Sequence, residues 1–180
     1  MNGRGRFGAR ASIAAMLMVA AFGLVGGTAA GAAPKCTITG TGGNDRLIGT
    51  PHHDVICAKG GLDFIRGNGG DDVIYAGAAV DTVIAGPGRD TVYGGKGGDI
   101  LDGDSGADHL YGQAGNDEIR GFKGPDTLKG GLGKDCLYTV DGVSGNDHGF
   151  GGPGHDEAGI DLGDHLFGVE ETGPNFCAGD

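Results

Sequence analysis

The chain has 180 residues, enough for one domain, and its 24 acidic and 13 basic residues give a net charge of −11 at pH 7. A surface of this charge repels phosphate, which excludes nucleic acid as a partner. Glycine contributes 43 residues, and aspartate outnumbers glutamate by 20 to 4. This preference for the short carboxylate indicates that the acids lie in tight backbone turns.

Residues 1–33 differ in kind from the rest of the chain and predict a secretory signal peptide. Three arginines precede an apolar run over residues 11–25, and Ala30-Gly31-Ala32 has the small-residue pattern of a cleavage site. The run is shorter than the roughly 20 apolar residues of a membrane span, and no pair of adjacent arginines marks the twin-arginine route. We therefore expect general secretory export to an extracellular location and no membrane span after cleavage. Attachment to the cell wall and free diffusion both stay open.

Residues 34–39 predict a short strand that caps the N-terminal end of the following segment. Ile38 has the spacing of an inward-facing residue, and Cys36 stands two positions before it. In the repeats that follow, aspartate occupies the position equivalent to Cys36.

Residues 40–138 align without a gap as eleven repeats of nine residues, from GTGGNDRLI to GGLGKDCLY. Position 8 of every repeat is Leu, Ile or Val, and glycine fills most of positions 1 and 4. Position 6 is aspartate in all eleven repeats: Asp45, Asp54, Asp63, Asp72, Asp81, Asp90, Asp99, Asp108, Asp117, Asp126 and Asp135. Such agreement over 99 residues identifies a repeat protein.

The repeats resemble the glycine-rich nonapeptide G-G-x-G-x-D-x-U-x of hemolysin-type calcium-binding (RTX) proteins. The resemblance implies a loop and a short strand in each repeat, two repeats in each turn of a parallel β-roll, and calcium between the loops of successive turns. It is most specific from Gly67 to Tyr138 and weaker in GTPHHDVIC and AGAAVDTVI, where loop glycines are missing. With its N-terminal export signal, the chain is similar to small secreted calcium-binding repeat proteins of actinobacterial type.

The residues themselves favour the same architecture, an all-β solenoid. Three residues centred on an aliphatic side chain alternate outward, inward and outward, as in a strand, and stacked parallel strands contact only neighbouring turns. Glycine permits the sharp turns of the loops. Each position-6 aspartate then faces its equivalent one 18-residue turn away, which predicts two ladders. One ladder contains Asp45, Asp63, Asp81, Asp99, Asp117 and Asp135, and the other contains Asp54, Asp72, Asp90, Asp108 and Asp126.

These ladders predict bound calcium, because carboxylates stacked about 4.8 Å apart repel one another unless a cation neutralises them. Carboxylate and carbonyl oxygens suit Ca²⁺, whereas Mg²⁺ demands stricter octahedral geometry and Zn²⁺ prefers clustered Cys or His. We predict several Ca²⁺ ions as the cofactor and an apo chain that is largely unfolded. The strongest sites are expected between Asp72 and Asp90, Asp90 and Asp108, Asp99 and Asp117, Asp108 and Asp126, and Asp117 and Asp135.

Residues 139–180 depart from the nine-residue register and are predicted to form irregular repeats followed by a C-terminal cap. Asp147 and Asp156 continue the aspartate pattern after a shift and join the candidate calcium ligands. Their inward positions hold Gly149 and Ala158, which predicts a thinner core. The cap is expected from residue 160 onward, with the last turn covered by Leu162, Leu166, Phe167 and Val169.

Four cysteines in an exported chain predict disulfide bonds. Cys36 and Cys57 belong to neighbouring turns on the same side, so a bond between them would hold the cap strand in place. Cys136 and Cys177 would then tie the C-terminal segment to the last full repeat. Four cysteines allow three pairings, and the sequence alone does not choose among them.

A surface for a partner is predicted at position 9, where Tyr75, Tyr93 and Tyr111 follow one another at 18-residue spacing. This ladder would bind a cell-surface glycan or a protein, although tyrosines at exposed strand positions also stack simply on one another, the interpretation we favour. No G-x-S-x-G or H-E-x-x-H motif is present, so no enzyme activity is expected. Two functions stay open: a monomeric, calcium-stabilised secreted structural or adhesion module, and an accessory chain of an extracellular hydrolase.

Overall fold

The computed structural model describes residues 35–143, 146–161 and 163–172. The predicted signal peptide, Leu162 and Cys177 lie outside the described residues. Within these residues, no helix is long and apolar enough to cross a membrane.

Sixteen short strands account for the regular structure of the described residues. They are β1 (Ile38–Thr39), β2 (Arg46–Ile48), β3 (Val55–Cys57), β4 (Phe64–Arg66), β5 (Val73–Ala78), β6 (Thr82–Gly88), β7 (Thr91–Lys96), β8 (Ile100–Gly106), β9 (His109–Ala114), β10 (Glu118–Arg120), β11 (Thr127–Leu132), β12 (Cys136–Tyr138), β13 (His148–Phe150), β14 (Glu157–Gly159), β15 (His165–Phe167) and β16 (Glu171–Thr172). Each of the eleven repeats contributes one strand, which begins one residue before its position-8 aliphatic residue.

The strands form two parallel sheets of eight, one of odd-numbered and one of even-numbered strands. Each strand therefore pairs with the strand two further along the chain. The register is 18 residues within the regular repeats, as in Ile74↔Val92, and it shifts to 21 at Leu128↔Gly149 and to 17 at Gly149↔Leu166. This topology confirms the predicted all-β parallel β-roll with two repeats in each turn.

The core is a single row of aliphatic side chains on the inner face of each sheet. Position-8 residues from Ile56 to Leu137 have no exposed surface, and Ala58, Ala76 and Ala85 at position 1 are equally buried. The sequence predicted a thinner core at Gly149. There, Leu166 Cδ2 lies 2.5 Å from the place that a Cβ on Gly149 would take, so Leu166 fills the space that glycine leaves.

The N-terminal cap strand pairs with β3 through Ile38↔Ile56 and Thr39↔Cys57. The predicted bond between Cys36 and Cys57 is present, with a Cα–Cα distance of 5.9 Å. The second pairing stays a prediction, because Cys177 lies outside the described residues.

Candidate metal centre

The position-6 aspartates form two continuous columns along the edges of the roll. In each column, the backbone N–H of one aspartate donates to Oδ1 of the aspartate one turn further on, at 2.7 to 2.9 Å. The same bond joins Asp126 to Asp147 at 2.8 Å and Asp135 to Asp156 at 2.9 Å. The structure thus brings all thirteen sequence-predicted aspartates into the two ladders, across the irregular register after residue 138.

The second carboxylate oxygen, Oδ2, is buried and receives no hydrogen bond in eleven of these thirteen aspartates. They are Asp63, Asp72, Asp81, Asp90, Asp99, Asp108, Asp117, Asp126, Asp135, Asp147 and Asp156. An unpaired acceptor in the interior is costly, and a repeated set of them indicates that something absent from the protein chain satisfies them. A proton or a cation fits this role.

Where position 1 is glycine, it leaves room beside these oxygens; in the repeats of Asp63, Asp81 and Asp90, position 1 is alanine. A Cβ on Gly94 would lie 2.7 Å from Asp99 Oδ2 and 2.9 Å from the carbonyl oxygen of Gly112. A Cβ on Gly103 would lie 2.7 Å both from Asp108 Oδ2 and from the carbonyl oxygen of Gly121. Carboxylate and carbonyl acceptors therefore converge where no side chain intervenes, an arrangement that suits a cation.

The donor set of this space consists of oxygen atoms. Among the described residues, no group of three or more His, Cys, Asp or Glu side chains is gathered as a metal site. Any cation between the loops must therefore draw on backbone carbonyls in addition to the aspartates. Such a set fits Ca²⁺, which takes six to eight oxygens in tolerant geometry, and it does not fit Zn²⁺.

The loops that carry the carbonyls have a left-handed backbone at two positions. In the nine repeats from residue 58 to residue 138, positions 2 and 4 both have positive φ. The sequence predicted glycine at such turns, yet six other residues adopt this conformation: Lys59, Asn68, Ala79, Asp104, Gln113 and Phe122. The repeated loop shape thus imposes the conformation even where the local residue disfavours it.

Burial shifts the protonation of the ladder carboxylates. Desolvation raises the pKa of Asp108 and of Asp117 to about 7, and the neighbouring carboxylates of the same ladder add to the increase. Burial likewise raises the pKa of Asp81 and of Asp90 to about 6. Without a cation, these groups therefore hold protons well above the usual range of a carboxyl.

Protons and calcium should compete for these carboxylates. Since the folded-state pKa of each group lies above its ordinary value, the proton-linked stability of the metal-free fold is present below about pH 4 and is lost as pH rises to 6 or 7. For a roll that is already folded, we expect the apparent Kd for calcium to increase between pH 8 and pH 6, by about tenfold over the whole interval for each displaced proton of a carboxyl with a pKa of about 7. Calcium titrations at constant ionic strength measure this, and equal affinity at both pH values would contradict it.

Two further acidic residues extend the ladders beyond the sequence prediction. The N–H of Asp147 donates to Asp164 Oδ1 at 3.5 Å, and the N–H of Asp156 donates to Glu170 Oε2 at 2.6 Å. Asp164 stands two residues before Leu166, the same spacing as between positions 6 and 8 of the repeats, so the sequence could have identified Asp164 as a ladder member. No sequence pattern indicated Glu170, since it is not an aspartate and lies only 14 residues after Asp156.

The tyrosine ladder is present on the outer face of the odd-numbered sheet. The ring centroids of Tyr75 and Tyr93 lie 5.0 Å apart, as do those of Tyr93 and Tyr111, with interplanar angles of 7° and 11°. Lys129 Nζ continues the column, 5.4 Å from the ring centroid of Tyr111 and 5.5 Å from that of Phe150. Neighbouring rings thus cover both faces of Tyr93.

The fold and its ladders define the class of the molecule: a parallel β-solenoid with carboxylate-lined loops between successive turns. The family model of the RTX calcium-binding nonapeptide repeat (4 copies) matches residues 37–65, 58–92, 77–110, 93–121 and 111–142. The chain belongs to this family. The comparison with curated proteins finds no match.

Proposed function

We propose that the chain is a secreted structural module whose β-roll folds when calcium binds between successive loops. The observation that carries this proposal is the set of eleven buried Oδ2 atoms without a hydrogen-bond donor. Each interior ladder carboxylate is at most 3 % exposed, so neither water nor a substrate reaches it freely. A bound cation would supply the missing partner and the positive charge together.

The ligands of each ion would come from two neighbouring turns. In the loop of Asp108, for example, Oδ2 of that residue and the carbonyl oxygen of Gly121 approach the same point beside Gly103. Ions bound in this way join one turn to the next and would neutralise the ladder. The five aspartate pairs between Asp72 and Asp135 expected from the sequence to hold the strongest sites all retain unpaired Oδ2 atoms.

Secretion is supported by two independent features. Residues 1–33 have the composition of a signal peptide. The disulfide between Cys36 and Cys57 belongs to an oxidising compartment, and calcium in the millimolar range is available outside the cell. A calcium-dependent fold would therefore form after export.

A structural or adhesion role is favoured over glycan binding by the tyrosine face. A sugar ring stacks on an exposed aromatic face, and the faces of the central tyrosine are covered by its neighbours. The ladder therefore offers ring edges and hydroxyl groups to solvent. We propose no catalytic role, because the carboxylates of the ladders are buried in the loops and engaged by backbone N–H groups.

Circular dichroism of residues 34–180, titrated with CaCl₂ and reversed with chelator, tests the proposal. We expect a coil-like spectrum to change to a β-sheet spectrum at roughly 10⁻⁴ to 10⁻³ M calcium, the range of extracellular calcium modules. MgCl₂ at the same concentrations is the control and should not produce the change. A spectrum that does not respond to calcium would overturn the proposed folding switch.

A further inference from the structure

The first two repeats have loops that differ from all the others. Both carry threonine at position 2, in GTGGND and GTPHHD. The N–H and the hydroxyl of Thr41 donate to Asp45 Oδ2 at 2.6 and 2.9 Å. In the same way, the N–H and the hydroxyl of Thr50 donate to Asp54 Oδ2 at 2.7 and 2.8 Å.

The backbone of these two loops also follows a different path. None of the residues at positions 2 and 4 of these repeats has a positive φ, whereas both positions do in each of the nine later repeats. Threonine is β-branched and disfavours the left-handed region, so it holds the loop in this alternative conformation. The hydroxyl oxygens of Thr41 and Thr50 also accept hydrogen bonds from the N–H groups of Gly43 and His52, at 3.1 and 3.2 Å.

The threonines supply the hydrogen bonds that the carboxylates of the other repeats lack at Oδ2. Asp45 and Asp54 are the two regular ladder members whose Oδ2 is not among the unpaired oxygens. Asp54 Oδ1 is satisfied as well, because it accepts a hydrogen bond from the Thr37 hydroxyl at 3.0 Å.

The neighbouring aspartates of this ladder show the contrast. Asp54 accepts hydrogen bonds from Thr50 at Oδ2 and from Thr37 at Oδ1. One turn further on, Asp72 has no such threonine, and its Oδ2 receives no hydrogen bond. Donors from the protein thus already stabilise the charged form of Asp54.

We propose that Thr41 and Thr50 take the place of calcium in the first turn, so that Asp45 and Asp54 bind no ion and metal binding begins with Asp63 and Asp72. A cation at Asp45 or Asp54 would have to displace two hydrogen bonds from the same oxygen and turn a threonine into the left-handed region. The first turn is then a metal-free cap, held by these hydrogen bonds and by the Cys36–Cys57 disulfide. This inference rests on the proposed calcium-binding function.

The number of calcium ions bound per chain tests the inference. The double variant Asp45→Asn and Asp54→Asn is compared with a matched double variant, Asp99→Asn and Asp108→Asn, at the equivalent positions three turns further on. Equilibrium dialysis of residues 34–180 at saturating calcium counts the ions, and circular dichroism reports folding. We expect the first variant to keep the parental number and the second to lose at least one ion.

The outcomes separate the two proposals. Loss of one or more ions in the folded Asp45→Asn and Asp54→Asn variant would overturn the role of the threonines. A parent chain that binds no calcium would instead overturn the proposed function. If the asparagine variant does not fold, the number of calcium ions bound by Thr41→Gly tests the inference instead. This substitution gives the loop of Asp45 glycine at positions 1, 2 and 4, as in the RTX pattern, and should add about one bound ion. An unchanged number of bound calcium ions in Thr41→Gly would contradict the inference.

Discussion

Replacing Gly115 by alanine is expected to destabilise the calcium-bound roll by about 2 to 6 kcal/mol. The φ of Gly115 is 147°, and a Cβ there would lie 1.4 Å from the carbonyl oxygen of Gly97 in the preceding turn. The backbone strain is worth roughly 1 to 3 kcal/mol, and the forced displacement of a packed neighbour roughly the same again. The neighbour is backbone, so it cannot move aside as a flexible side chain would.

Thermal or urea unfolding at saturating calcium measures this effect, with Gly42→Ala as the matched control. Gly42 also lies in a repeat loop, but a Cβ there would meet nothing within 4 Å, and its φ is not positive. We expect the control to stay within about 1 kcal/mol of the parent. Equal stability of the two variants would show that the close stacking of successive loops is not required for the fold.

Replacing Leu128 by alanine is expected to destabilise the roll by about 2 to 5 kcal/mol. Leu128 in β11 has no exposed surface and lies between Leu110 and Gly149 on the neighbouring strands. Alanine in its place would leave a cavity in the row of fully buried position-8 side chains. The loss of buried surface and the cavity therefore both contribute.

Leu132 provides the control for this substitution within the same strand. Its side chain is 60 % exposed, so Leu132→Ala should change the free energy of unfolding by less than about 0.5 kcal/mol. Urea unfolding of both variants at saturating calcium makes the comparison. A similar decrease in the free energy of unfolding in both variants would mean that the buried row at position 8 contributes no more to stability than a surface position does.

The sequence predicted the strands and the ladder aspartates well because the same local pattern recurs eleven times. A three-residue strand such as β10, Glu118-Ile119-Arg120, carries little information alone. Repetition at a constant spacing specifies which residue faces inward and which turn it stacks on. The positions of Asp147 and Asp156 followed from the same pattern, even though the register shifts to 21 residues before them. Their role as calcium ligands stays a proposal.

Other features of the site depended on contacts that do not recur in the remaining repeats. The threonine loops resemble the other repeats at position 6, but their backbone lacks the positive φ at positions 2 and 4, and Thr41 and Thr50 donate hydrogen bonds to Asp45 and Asp54. Glu170 enters its ladder because the chain returns beside Asp156 by an irregular path. The threonine contacts join residues four apart within one loop, and the Asp156–Glu170 contact joins residues 14 apart, so neither belongs to the 18-residue pattern that links the other ladder members.

By itself, the sequence determined the solenoid, its 18-residue turn and the two carboxylate columns, because periodicity is a property of the covalent chain. The tertiary structure alone decided which oxygen of each carboxylate is satisfied by the protein and which is left unpaired. That distinction depends on donors from the preceding turn reaching Oδ1 and, in only two regular repeats, on a threonine reaching Oδ2. Hydrogen-bond satisfaction is set by three-dimensional proximity within a few tenths of an ångström, which a residue pattern does not encode.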